Sequence, residues 1–225
     1  MNNMPRNTGN TAMSAEEQRF SEYIDRLPEE EQLAISLISK NIVNGCSWEF
    51  TRDVTQLRRM EKGFAENPNV SLTQVVYHHG QRNVSGYLVY MKLDYLLRQL
   101  HAASPNLITQ EDAKRASERR QEACMSLARK MQKGYRGVIG IYCTNDSENI
   151  TISGKTYPAF AVTFAEFCQI AVKFGYGVVL SSAIATAQQC MQNAAKVISS
   201  CEVAPSSNAL LIEIAPLKGN NPGKR

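Results

Sequence analysis

The chain has 225 residues, enough to bury a full core as one domain or two, and its 43% apolar and 20% charged residues are ordinary for a folded protein. A formal charge of +4 is too small to demand a nucleic-acid or membrane partner, because that inference needs clustering as well as sign. Cys46, Cys124, Cys143, Cys168, Cys190 and Cys201 contain no CxxC pair, and no apolar signal segment precedes the first predicted helix. The expectation is reduced, mostly buried thiols and a cytoplasmic protein.

Residues 1–13 read as a disordered arm. Ser14 and Glu17 form a capping box that starts a helix reaching about Leu27. Pro28 opens a second helix, with Glu29, Glu30 and Glu31 at its positive end and an apolar stripe of Leu33, Ala34, Leu37, Ile38 and Ile42. Gly45 ends it. A third helix is expected from Trp48 to about Lys62, with Ser47 as its N-cap, and a turn at Asn67-Pro68-Asn69. Residues 70–77 fit neither the helical nor the strand period. Residues 84–102 read as helix.

Thr109 and Asp112 open a long helix to about Lys133, roughly 35 Å at 1.5 Å per residue. Its small apolar face (Ala113, Ala116, Ala123, Cys124, Leu127, Ala128, Met131) invites close packing. Past Gly134 the period changes. Strands are expected at 138–143, 150–153, 157–162, 177–180 and 209–214, with helices after the Thr163–Glu166 capping box and over 182–200. Residues 218–225 read as a disordered basic tail. The fold class is therefore α+β: a helical N-terminal half, then a C-terminal mixed β-sheet of about four or five strands with two packed helices. The organisation is a helical region at 14–104 and a long helix plus α/β core at 109–217. Whether these share one domain stays open.

Charge separates the two parts. Residues 1–136 carry 35 of the 46 charged side chains, whereas residues 137–217 carry eight. The uncharged run of 22 residues between Lys173 and Lys196 is long enough to span a bilayer. Its glutamines, Asn193 and two glycines favour a strand followed by a buried helix, so no transmembrane segment is expected.

Three short motifs invite a chemical reading. Asn44-Gly45-Cys46-Ser47-Trp48 resembles the nucleophile segment of papain-like cysteine proteases, but Ser47 separates the thiol from the Trp that should follow it directly. A turn between helices explains the segment better, and a cysteine-dependent enzyme is the outlying alternative. Ser153-Gly154-Lys155-Thr156 ends like a phosphate-binding loop, but Asn149 stands where the first glycine belongs and a strand follows, so a hairpin turn is expected. His78 and His79 are adjacent and have no cysteine nearby, which does not make a zinc site. No catalytic, cofactor or metal site is assigned, and no cofactor is expected.

The 110–136 segment is the best functional candidate. Arg115, Arg119, Arg120, Arg129, Lys130, Lys133 and Arg136 could meet a partner protein or, alternatively, nucleic acid. The plain alternative is a solvated face, since acids early and bases late suit the helix dipole. Arg120 stands apart because its angle places it within the apolar face. It should pair with a carboxylate, Asp94 and Glu166 being the candidates, or meet another subunit. The functional expectation is a non-catalytic adaptor or scaffold subunit binding one or more proteins, with a nucleic-acid-associated protein second.

Overall fold

The computed structural model describes residues 14–52, 54–79, 82–143, 149–152, 154–180, 183–186, 202–204 and 209–217. The arm at 1–13, the tail at 218–225 and most of the expected 182–200 helix lie outside them. Helix α1 (Ala15–Ile24) starts at the Ser14–Glu17 capping box, and α2 (Glu29–Ile38) starts directly after Pro28. A 3-10 helix (Ser39–Asn44) continues α2 until Gly45 turns left-handed at φ 72°. Strand β1 (Trp48–Thr51), α3 (Val54–Glu66), β2 (Val70–His79), β3 (Arg82–Met91) and α4 (Leu93–Ala103) follow. The long α5 (Gln110–Gln132) begins at the Thr109–Asp112 box. After it come β4 (Gly137–Ile141), β5 (Asn149–Ile152), β6 (Lys155–Pro158), α6 (Phe164–Phe174), β7 (Tyr176–Leu180), β8 (Ala183–Thr186), β9 (Glu202–Ala204) and β10 (Ala209–Pro216). The Thr163–Glu166 box caps α6.

The α+β class holds, but its first half is not simply helical. Residues 48–51 form a strand where a helix is expected, because Trp48 and Phe50 alternate with Glu49 and pair antiparallel with Tyr90 and Leu88. Ser47 is consequently no helix cap. It is fully buried, and its Oγ has no hydrogen-bond partner. The expected 84–102 helix divides at Lys92 into β3 and α4. Its apolar residues fit a broad helical face, yet residues 84–91 pair with Val70–Tyr77 of β2. Residues 183–186 are strand rather than the start of a helix, paired with β7. Gly154, left-handed at φ 77°, turns the chain within the β5–β6 hairpin, in which Ile152 faces Lys155.

One sheet runs through both halves in the order β1-β3-β2-β9-β10-β7-β8, with β4 on the other side of β10. Its pairings are antiparallel except for β2 with β9, where Tyr77 faces Val203. The count of strands therefore exceeds the four or five expected, because the first half contributes three. Alternation divides the side chains of β3 between two cores. Leu88 joins Trp48, Phe50, Leu127, Met131, Ile139, Phe167 and Leu210 in one buried cluster. Val89 and Met91 join Ala34, Ile38, Leu57, Leu96 and Ala116 in the other. Helix α5 belongs to both, through Ala116 at one end and Leu127 and Met131 at the other. Arg120 sits between them.

Candidate functional site

The seven basic residues of 115–136 separate into two groups. Arg115 is exposed and pairs locally with Glu111 at 3.4 Å. Arg119 donates to Asn44 Oδ1 at 2.6 Å, tying α5 to the 3-10 helix. Arg120 is buried at 6% exposure. Its Nε meets both carboxylate oxygens of Glu166, at 3.0 and 2.7 Å, and its Nη1 donates to the Gly45 carbonyl at 2.8 Å. Its guanidinium lies 4.5 Å from the centre of the Trp48 ring. These three residues are used inside the fold.

The Arg120 arrangement follows from local structure. Glu166 Oε2 also accepts from the backbone N–H and hydroxyl of Thr163, at 2.8 and 2.9 Å, so the α6 cap holds the carboxylate in place. Trp48 Nε1 donates to the Tyr142 carbonyl at 2.9 Å, and the two rings meet edge to face at 5.1 Å. Tyr142 adopts φ 55°, a conformation rare outside glycine, which turns that carbonyl at the end of β4 toward Trp48. A planar, permanently charged guanidinium can serve a carboxylate, a carbonyl and an aromatic face at once. The expected carboxylate partner is thus Glu166 rather than Asp94, which pairs with Arg98 at 3.1 Å. The sequence pattern that placed Trp48 on a helix hid the aromatic side of this arrangement. The period-two spacing of the apolar residues Cys46, Trp48 and Phe50 was the signal available.

Arg129, Lys130, Lys133 and Arg136 form the second group, at the C-terminal end of α5. Arg129, Lys133 and Arg136 are exposed and Lys130 is half-buried. No carboxylate of the described residues lies within 4 Å of any of them. Ser126, Arg129, Lys130, Lys133 and Tyr135 line a shallow groove of about 440 Å³. Lys130 Nζ stands 4.7 Å from the Tyr135 ring centre, and the Tyr135 hydroxyl donates to the Val138 carbonyl at 3.0 Å. Tyr135 is therefore a fixed wall beside these cations. Sequence reasoning found the cations but not Ser126 or Tyr135, which the turn into β4 brings alongside.

Cys190 and Cys201 lie outside the described residues, and the other four cysteines are buried or half-buried. Cys46 has 0% exposure, and its Sγ donates to the Cys143 carbonyl at 3.4 Å. Burial pushes the Cys124 thiol up to about 11, and the Cys143 thiol up to about 12. Thiolate is the nucleophile, and raised values remove it at neutral pH. Alkylation of the native protein at pH 7 with iodoacetamide, read by peptide mass spectrometry, is expected to label Cys46, Cys124, Cys143 and Cys168 far more slowly than after unfolding. A native rate at Cys46 or Cys124 matching the unfolded rate would contradict this. These four are free thiols. His78 and His79 lie on β2, opposite Asn83 and Arg82. No group of three His, Cys, Asp or Glu side chains among the described residues could hold a metal ion, and no described helix is long and apolar enough to cross a membrane. Compared with known proteins, the chain matches no family model, no curated protein and no solved structure.

Proposed function

We propose that the protein is a non-catalytic adaptor subunit that docks a partner protein carrying an acidic surface, through the basic end of α5. One observation carries the reading: Arg129, Lys130, Lys133 and Arg136 meet no carboxylate of the described residues, whereas Arg115, Arg119 and Arg120 of α5 are engaged within the chain. The helix dipole favours cations at this terminus, which accounts for their stability there. It does not account for four of them without an acidic neighbour beside a groove walled by a fixed aromatic ring. Arg and Tyr at such a rim are the residue types that protein interfaces favour. Charge complementarity there sets partner choice and the rate of encounter more than raw affinity.

The test compares the full chain with Arg129→Glu/Lys133→Glu and with Lys155→Glu, an exposed reversal on the β5–β6 hairpin. Each is purified by affinity from the native host and read by mass spectrometry. A protein that accompanies the wild type and Lys155→Glu, and is lost from the double variant, is the expected result. Equal recovery with all three overturns the reading. Binding of DNA or RNA that weakens steeply with salt and vanishes in the double variant would replace it with the nucleic-acid reading.

A further inference from the structure

We propose that the acidic occupant of the basic α5 end is a second copy of this chain, contributed by its own α1–α2 surface. The proposal rests on reading that end as a protein-docking surface. The four surplus positive charges of the sequence are Arg6, Lys218, Lys224 and Arg225, so residues 14–217 hold acids and bases in equal number. That balance is not uniform in space. Glu16, Glu17, Glu22, Asp25 and Glu29 are exposed on α1 and the start of α2, against Arg19 and Arg26. No cation of the described residues lies within 4 Å of those five carboxylates.

The acidic surface lies at the other end of the molecule's longest element. Ser104, just before α5, donates to Glu16 at 2.7 Å, and Tyr23 donates to Gln99 at 2.8 Å. Helix α1 therefore runs antiparallel along α4 and is anchored beside the start of α5. From Asp112 to Arg129 the helix rises about 26 Å. Glu16, beside the start of α5, and the cations at its far end are thus separated by more than the Debye length at physiological salt and do not neutralise each other within one copy. Each surface is the electrostatic complement of the other, and a second copy always supplies it at equal concentration. Nucleic acid fits less well, because a duplex following the basic end along α5 would meet this acidic surface.

The experiment measures the mass of the full chain by sedimentation equilibrium and light scattering. At about 200 µM protein in about 50 mM salt, mass above the monomer is expected, and about 0.5 M salt should weaken the association at least tenfold. Arg129→Glu/Arg136→Glu cancels the charge of the α5 end, two glutamates standing against Lys130 and Lys133, while α1–α2 stays acidic. Glu22→Lys/Asp25→Lys gives a copy basic at both surfaces, with lysines placed at a helix C-terminus that tolerates them. Each alone is expected to stay monomeric, and an equimolar mixture to recover assembly. Circular dichroism checks that each variant is folded, and Arg129→Gln/Arg136→Gln substitutes if a reversal is not. A wild-type chain that is monomeric throughout, or a mixture that stays monomeric, overturns self-docking. The adaptor reading survives that outcome if a host protein is still lost with the reversed α5 end, and falls only if it is not.

Discussion

Arg120→Ala is expected to lower folding stability by about 3 kcal/mol, with the urea midpoint falling by roughly 1–1.5 M. The variant removes the Nε–H shared between the two Glu166 oxygens, the donor to the Gly45 carbonyl, and the cation above Trp48. It also leaves the carboxylate without its partner. A fully buried stranded charge would cost more, but the Glu166 side chain is 31% exposed and keeps part of its hydration. Arg120→Lys should recover less than half of the loss, since one ammonium cannot span Glu166, the Gly45 carbonyl and the indole face together. A double-mutant cycle with Glu166→Gln should show coupling above about 1 kcal/mol. A loss below about 1 kcal/mol for Arg120→Ala, or no coupling, would show that the pair is incidental.

Gly45→Ala should be comparably severe, about 3 kcal/mol or more, and the contrast with Gly134→Ala separates its two causes. Both glycines are left-handed, at φ 72° and 75°. At Gly134 a Cβ would meet nothing within 4 Å, so the substitution carries only the conformational cost of about 1 kcal/mol. At Gly45 the Cβ would lie 2.6 Å from the Ala116 carbonyl oxygen and 3.1 Å from the Arg120 nitrogen, both backbone atoms of α5. The turn or the helix must then move, and the Arg120 bond to the Gly45 carbonyl moves with it. Thermal unfolding of the two variants reads the difference directly. Equal shifts at the two sites would mean that the turn does not rest on α5.

Together these substitutions test whether α5 works as a strut with separate interior and exterior roles. Its middle fastens the Gly45 turn, β1 and α6 through Arg120. Its far end presents the cations. Arg120→Ala should therefore reduce stability first, whereas Arg129→Glu/Lys133→Glu should change docking while moving the urea midpoint far less. Two exposed reversals at a helix C-terminus cost on the order of 1 kcal/mol through the dipole, well below the loss at Arg120.

The sequence alone determined the features that depend on residues three or four apart. The capping boxes at Ser14, Thr109 and Thr163 start their helices as read, because each is closed by its own backbone and two side chains. The long α5 and the anomaly of Arg120 were equally legible, since a charge within an apolar helical face shows at 100° per residue. Tertiary structure decided the rest. Trp48–Thr51 and Arg82–Met91 carry apolar residues at spacings that a helix also accepts, and only the pairing of β1 and β2 with β3 makes them strands. Which carboxylate takes Arg120 was a choice between Asp94 and Glu166 until α6 packed beside α5. The division of the basic residues into engaged and unengaged groups also needed the fold. Whether a cation finds a partner depends on neighbours as far apart in the chain as Asn44 and Arg119, or Arg120 and Glu166.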